Sequence, residues 1–386
     1  MGKVFVTDGQ WRKTLAVVRS LGKKGIGVTV GENIRLATAL FSKYAAKRVV
    51  YPSPGTKPEA FIDYLLDELK QRPYDVLFPM EEETLLLVAK NKERISKLTY
   101  LLIPDYEKIE FARNKKNIIK KAQELDIPCP KTWFIEDISE IEKIAGEIRY
   151  PVVIKPQVSF GSYGIKRAKN KEELISRYRE VHRIYSFPLI QETIPQEGKA
   201  FGVSTLFNKD SELRAVFVHK RLREYPVTGG PSTLRESVKN KRVQELGVRL
   251  LKALNWVGVA MVEFKVDPRD GKPKLMEVNP RFWGSLQLAI LSGVDFPYLV
   301  YRMAREGDIE PVLDYKTGVR CRWMFPGDFL AFFSNLKRFR WTPGFFNPGT
   351  NYDILSLRDP GPTLGRILSV YNLLFQKEMR RLLFRR

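Results

Sequence analysis

Residues 258–281 read GVAMVEFKVDPRDGKPKLMEVNPR, and the fold turns on this stretch. Two apolar-rich runs flank DPRDGKP, a cluster of turn-forming residues, so the pattern predicts two antiparallel strands about a turn. The turn is centred on Asp270, and Glu263 and Glu277 lie seven residues to either side. In antiparallel pairing two such residues sit opposite each other with side chains on one face. Glu277, Asn279 and Arg281 alternate by two, which adds an amide and a guanidinium to that face. Facing carboxylates repel unless a cation lies between them. Oxygen donors without His or Cys suit Mg²⁺, which is usually held by one or two carboxylates and substrate phosphates. The plain alternative is a solvated hairpin, and the in-phase Asn279 and Arg281 weigh against it.

Upstream, the texture divides the chain. In residues 1–105, KVFVT, GIGVTVG, YDVLFP and TYLLIP read as strands. Helical patterns over residues 11–21, 58–70 and 82–95 lie between them, which implies βαβ crossovers and a parallel sheet. The first turn holds only Gly9, so the glycine fingerprint of a dinucleotide site is missing. From residue 106 the pattern changes to helices at 114–125, 138–148, 171–185 and 243–254 with grouped antiparallel strands. The fold class is therefore α/β followed by α+β.

Composition narrows the function. The chain has 386 residues, 44% hydrophobic and 28% charged, the balance of a globular protein with a sizeable core. Two cysteines, Cys129 and Cys321, and two histidines, His182 and His219, exclude a disulfide framework and make a His-ligated zinc site improbable. No run of 18 apolar residues spans a bilayer, and Lys3–Val6 is too short for a signal-peptide core. The expectation is a cytoplasmic protein. A net charge of +22 suits anionic partners without choosing among nucleotide phosphates, nucleic acid and acidic lipid.

The motif VEF followed by MEVNPR resembles the metal-binding end of the ATP-grasp ligases, most closely in texture the carboxylate–amine ligase-like branch. The resemblance implies a Rossmann-like pre-ATP-grasp domain over 1–105 and a two-lobed ATP-grasp domain over 106–310, with lobes of about 106–190 and 191–310. A basic aromatic C-terminal extension, 311–386, matches nothing in that family. By the same resemblance Glu263, Glu277 and Asn279 hold two Mg²⁺ ions, with Mn²⁺ as the substitute, against the triphosphate of ATP, and Arg281 faces the reacting acyl phosphate. Lys115 (with Lys116 competing) and Lys155 reach the phosphates. Gly161, Ser162 and Gly164 in SFGSYGI form the loop over them. Backbone around Gln191, Glu192 and Ile194 reads the adenine, and Glu197 takes the ribose. The loop HKRLREYPVTGGPST places Arg221, Arg223 and Ser232 where Arg forks and free amides would suit an anionic carboxylate or its acyl phosphate. Trp283 and Ser285 either line the acceptor pocket or start the next helix.

The implied reaction is ATP-dependent joining of a small-molecule carboxylate to an amine through an acyl phosphate, with release of ADP and phosphate. The rival from another class is a non-catalytic ATP-binding sensor or scaffold on nucleic acid or membrane. The tail keeps its own alternatives. Residues 323–346 hold nine aromatics, and Leu364, Ile367, Leu368, Tyr371, Leu374, Phe375, Met379 and Leu382 recur at helical spacing. That stripe docks on the core or on a second subunit, as in a homodimer, or residues 363–386 lie on an anionic membrane at its inner surface. Nucleic acid ranks last.

Overall fold

The computed structural model describes residues 2–375 except 160–163, 227–228, 336–338, 340 and 342. It builds three sheets. The first is all parallel, in the order β3-β2-β1-β4, from β1 (Lys3–Val6), β2 (Gly27–Glu32), β3 (Ala45–Val50) and β4 (Val76–Phe78). Helix α1 (Arg12–Gly22) crosses from β1 to β2, and α2 (Pro58–Gln71) from β3 to β4. The strand β3 was not read from sequence, because AAKRVV lacks a clean period-two pattern. The helical pattern at 82–95 breaks at Asn91 into α3 (Glu82–Lys90) and α4 (Lys92–Ser96), and TYLLIP contributes one isolated bridge, Val76 to Tyr100, rather than a strand.

Helices α5 (Tyr106–Arg113) and α6 (Lys115–Glu124) lead into the second sheet, ordered β5-β8-β6-β7. It comprises β5 (Thr132–Trp133), β6 (Val152–Lys155), β7 (Lys166–Ala168) and β8 (Leu189–Glu192), with α7 (Glu140–Glu147) and α8 (Lys171–His182) on one face around the buried Ile141, Ile154, Leu174 and Tyr178. The third sheet has seven strands in the order β13-β12-β9-β10-β11-β14-β15. They are β9 (Ala200–Phe207), β10 (Leu213–Glu224), β11 (Ser232–Ser237), β12 (Gly258–Val266), β13 (Pro273–Asn279), β14 (Arg320–Arg322) and β15 (Asn351–Tyr352). Helices α9 (Lys241–Ala253), α10 (Leu286–Leu291) and α11 (Phe296–Glu306) flank it, followed by α12 (Phe329–Ser334) and α13 (Gly361–Phe375).

One expectation is corrected. Arg221, Arg223 and Ser232 are not in a loop, since β10 runs on through Glu224 and β11 begins at Ser232. Beyond residue 310, β14 and β15 extend the third sheet. One continuous apolar core joins Val4, Val6 and Leu15 of the first unit to Val203, Val262 and Trp283 of the third sheet.

Candidate functional site

The hairpin of β12 and β13 brings Glu263 directly opposite Glu277. This register has a local cause. Asp267 donates its amide to the Lys272 carbonyl at 2.9 Å, closing a turn whose symmetry would pair Glu263 with Met276. A bulge between the Glu263 and Phe264 pairings shifts the ladder by one and turns Glu277 to the face of Glu263. Asn279 lies on that face and donates Nδ2 to Glu263 Oε1 at 3.3 Å.

Cations surround this pair. Arg221, one strand beyond β9, forms a close ion pair with Glu263 through Nη2 and reaches Glu224 at 3.3 Å. Lys115 sits at the first position of α6, where the Asn114 side chain caps the helix by accepting from the amides of Lys116 and Asn117. Its Nζ is 3.8 Å from Glu277 Oε2 and donates to the Ser159 carbonyl at 3.0 Å. Lys116 points away to Glu136 at 3.2 Å, which separates the two lysines geometrically. Lys155, ending β6, donates to Gln191 Oε1 at 2.8 Å. Burial lowers the Lys155 ammonium to about 8, and the nearby Lys115 adds to that. Burial raises Glu263, Arg221 pulls it back and Glu277 raises it again, leaving it at about 7. Lys115, Glu277, Asn279 and Arg281 line one cleft with Arg113 and Glu82, which pair at 2.7 Å on its far wall.

The other residues singled out from sequence divide. Arg223 is turned away from the carboxylates. It pairs with buried Asp328 at 3.0 Å and stacks over Trp341 at 4.2 Å, so it anchors the C-terminal segment. Gln191 is buried, and its amide also donates to Thr132 Oγ1 at 3.0 Å. Glu192 accepts from the Lys131 amide and from Arg269, both at 2.9 Å, and its own amide is committed to the Lys131 carbonyl. Ile194 is buried, with its carbonyl accepting from Lys265 at 3.4 Å, while Glu197 is exposed on the turn that follows. Gly164 has φ +71°, and a Cβ there would meet the Tyr185 ring at 2.7 Å. Gly161 and Ser162 lie outside the described residues. Buried Ser232 donates to the Leu234 carbonyl at 3.1 Å. Trp283 is fully buried in the core, and Ser285 Oγ is 3.4 Å from His219 Nε2.

Sequence reading missed the contribution of the first sheet. Asp8 follows β1 and Glu81 follows β4, at the carboxyl edge where the strand order reverses. Asp8 accepts from the Glu81 amide and from Thr84 Oγ1, both at 2.8 Å, and so fixes this edge. Glu81 pairs with buried Lys13 at 2.8 Å and lies 3.9 Å from Arg281. Lys13 also donates to the Phe282 carbonyl at 3.2 Å, and burial lowers its ammonium to about 8. The rule that ligands bind at such a reversal in open α/β sheets would have drawn attention to DGQ and PMEEE.

Two facing carboxylates with an amide, ringed by cations between the second and third sheets, make up this site. Residues 112–285 match the family described as the ATP-grasp domain, and this part of the chain belongs to it. The D-aspartate ligase of Enterococcus faecium is 26% identical over 293 residues, covering 69% of this chain and 68% of that protein. The carbamoyl phosphate synthase large chain of Methanothermobacter thermautotrophicus is 25% identical over 336 residues, covering 80% of this chain and 31% of its own, so the chain spans less than a third of that relative. Among solved structures, the biotin carboxylase of Campylobacter jejuni aligns with a TM-score of 0.69 at 16% identity, over 82% of this chain and 74% of that one. The L-amino acid ligase of Bacillus licheniformis aligns with a TM-score of 0.61 at 21% identity, over 81% and 78%.

Proposed function

We propose that the chain is an ATP-dependent ligase that joins a carboxylate to an amine through an acyl phosphate, releasing ADP and phosphate. The observation that carries this reading is the Glu263–Glu277 pair with Asn279 on its face and Lys115, Lys155, Arg221 and Arg281 around it. Among the described residues no three His, Cys, Asp or Glu side chains converge. What converges is two carboxylates and an amide, a donor set that fits a hard cation already carrying phosphate and water ligands. Glu263, Glu277 and Asn279 would hold Mg²⁺, and the metal supplies charge neutralisation at the transferring phosphoryl group. The facing carboxylates would share two such ions against the triphosphate.

The chain's own groups then have distinct tasks. Lys115 and Lys155 neutralise phosphate oxygens, and the burial of Lys115 and half-burial of Lys155 raise the strength of that interaction. Arg281 stabilises charge developing on the acyl phosphate, and Glu81 holds its guanidinium in place. On this reading residues 1–105 are the pre-ATP-grasp domain, 106–190 and 191–310 are the two lobes, and Glu192, Ile194 and Glu197 border the nucleoside. Arg221 serves the carboxylates rather than the loop first assigned to it. Product analysis tests the proposal: with pools of amino acids and small carboxylic acids, ADP and a hydroxylamine-trapped acyl group are expected. AMP and pyrophosphate would sink the acyl-phosphate route, and tight ATP binding without turnover across broad pools would favour the sensor reading instead.

A second, peripheral contact is proposed for the C-terminal side. Phe333, Phe339 and Phe346 are 68%, 80% and 85% exposed in a net-positive part of the chain. Such a patch suits an anionic lipid surface or a second copy of the chain. Among the described residues no helix is long and apolar enough to cross a membrane.

A further inference from the structure

Helix α13 docks through small residues four apart, Gly361, Gly365 and Ser369. A Cβ at Gly365 would meet the Phe41 ring at 2.5 Å, so this face lies too close for a side chain. Leu364 and Ile367, three apart, fall away from that face and are 55% and 50% exposed. Leu357, four residues before the helix, is fully exposed. Ile34 and Leu36 are exposed as well, in the loop that leads into the short helical turn at 38–41 on which α13 packs. The helix thus buries its small residues and turns aliphatic ones outward, the reverse of a helix that ends at the core.

The exposed charge of these segments is of one sign. Residues 32–50 and 351–370 contain three acidic side chains, Glu32, Asp353 and Asp359, and all three are buried. Arg35, Lys43, Arg48 and Arg358 of the same segments are exposed. Lys43 and Arg358 stand together at the entrance to α13, because Asp359 accepts the Lys43 amide at 2.9 Å. Lys23 belongs with them, since burial first, and then the charges of Arg19 and Arg358, lower its ammonium. The partner must therefore offer both apolar contact and negative charge. A second copy of the chain fails on charge, because a two-fold contact would set these cations against their own images. Nucleic acid supplies the charge, but base stacking draws on aromatic rings rather than on Leu and Ile. A lipid surface supplies both, with acyl chains for the aliphatic groups and anionic headgroups for the cations.

We propose that the outward face of α13, with Leu357, Leu364 and Ile367 entering the headgroup boundary and Lys43 and Arg358 beside them, seats the chain on an anionic lipid surface. The proposal does not rest on the ligase reading. The test is co-sedimentation of the full chain with vesicles of equal parts phosphatidylcholine and phosphatidylserine, and with vesicles of phosphatidylcholine alone. The anionic vesicles are expected to bind about tenfold or more tighter, since each cation at such a surface adds roughly fivefold. Leu364→Ser with Ile367→Ser should weaken that binding about tenfold or more by removing aliphatic contact. Lys43→Glu with Arg358→Glu should weaken it by a similar factor. All four side chains are exposed, so unchanged melting temperatures are expected, and the charge variant carries the test if the serine variant unfolds. Equal binding to both kinds of vesicle, or unchanged binding in a folded variant of either kind, would overturn the proposal. A dimer that the serine variant disperses, or capture by duplex DNA without capture by vesicles, would overturn it in favour of a second copy or of nucleic acid.

Discussion

At the scale of single residues, Glu277 and Glu263 carry unequal burdens although they face each other. Glu277 is the more exposed, with 37% of its side chain accessible, and its nearest cation is Lys115 at 3.8 Å. Glu277→Gln should therefore fold normally while losing the charge a metal needs. Turnover is expected to fall about a hundredfold or more, as loss of a several-kcal/mol metal interaction requires. Steady-state ADP release beside an unchanged circular dichroism spectrum checks this, and near-normal turnover would remove Glu277 from the site. Glu263 makes a prediction about protons. Its carboxyl is raised to about 7, so the folded chain without nucleotide binds a proton there that the unfolded chain has released by about pH 5. That contribution to stability is present at acid pH and is lost as pH rises through about 7. A metal needs the ionised form, so binding of Mg²⁺ with ATP near pH 7 should release a fraction of a proton. Calorimetry in buffers of different ionisation enthalpy measures it, and buffer-independent heats would refute it.

At the scale of elements, the start of α6 and the bulge in β13 do the positioning. The cap at Asn114 secures the turn from which Lys115 reaches Glu277. Asn114→Ala should cost about 1 kcal/mol in urea unfolding and weaken nucleotide binding. An unchanged midpoint would show that Gln157, whose carbonyl accepts the Lys115 amide at 2.8 Å, holds this turn alone. The facing of Glu263 and Glu277 was legible as seven-residue symmetry about Asp270, but the mechanism was not. The turn itself is symmetric about a different point, and the bulge restores the pairing. Bulges follow from strain and packing across a whole sheet, which residue spacing does not encode. The same limit explains Arg221 and Arg223: YPVTGGP reads as a long loop, and only pairing with β11 carries β10 as far as Glu224.

At the scale of the molecule, the C-terminal segment is stitched to the first unit. Arg19 of α1 pairs with Asp359 at 2.9 Å and donates to the carbonyls of Asp353, Ile354 and Asp359. Asp359 also accepts from Ser42 Oγ at 2.7 Å and from the Lys43 amide at 2.9 Å. Arg19→Ala leaves this buried carboxylate unpaired and should cost about 3–5 kcal/mol in chemical denaturation. Helix α13 then lies against Phe41, so close that a Cβ at Gly361 would meet the Phe41 carbonyl oxygen at 2.1 Å. Backbone cannot yield as a side chain does, and Gly361→Ala should destabilise by about 1–3 kcal/mol. Gly146→Ala is the control, with open space at its Cβ inside α7 and an expected gain of about 0.5–1 kcal/mol. Equal melting temperatures for the two variants would show that α13 is not packed on Phe41. The helix docks here through Gly361 and Gly365, whereas Leu364 and Ile367 of the expected apolar stripe are exposed. The basic residues Lys377, Arg380, Arg381, Arg385 and Arg386, on which the membrane alternative rests, lie outside the described residues.

From its own residues the sequence determined the parallel α/β opening and the antiparallel hairpin that carries both carboxylates, while the bulge in β13 set them face to face. The opening and the hairpin depend on local periodicity and short-range spacing, which a chain carries whatever surrounds it. Tertiary structure alone decided that Lys13 and Glu81 stand beside Arg281, and that Arg223 serves the C-terminal segment instead of the cleft. It alone joined residues 320–322 and 351–352 to the third sheet. Arg12 and Asp353 are 341 positions apart yet approach to 3.6 Å, and no periodicity connects residues so distant. Their meeting follows from burial of one shared core, in which α1 and the third sheet exclude water together.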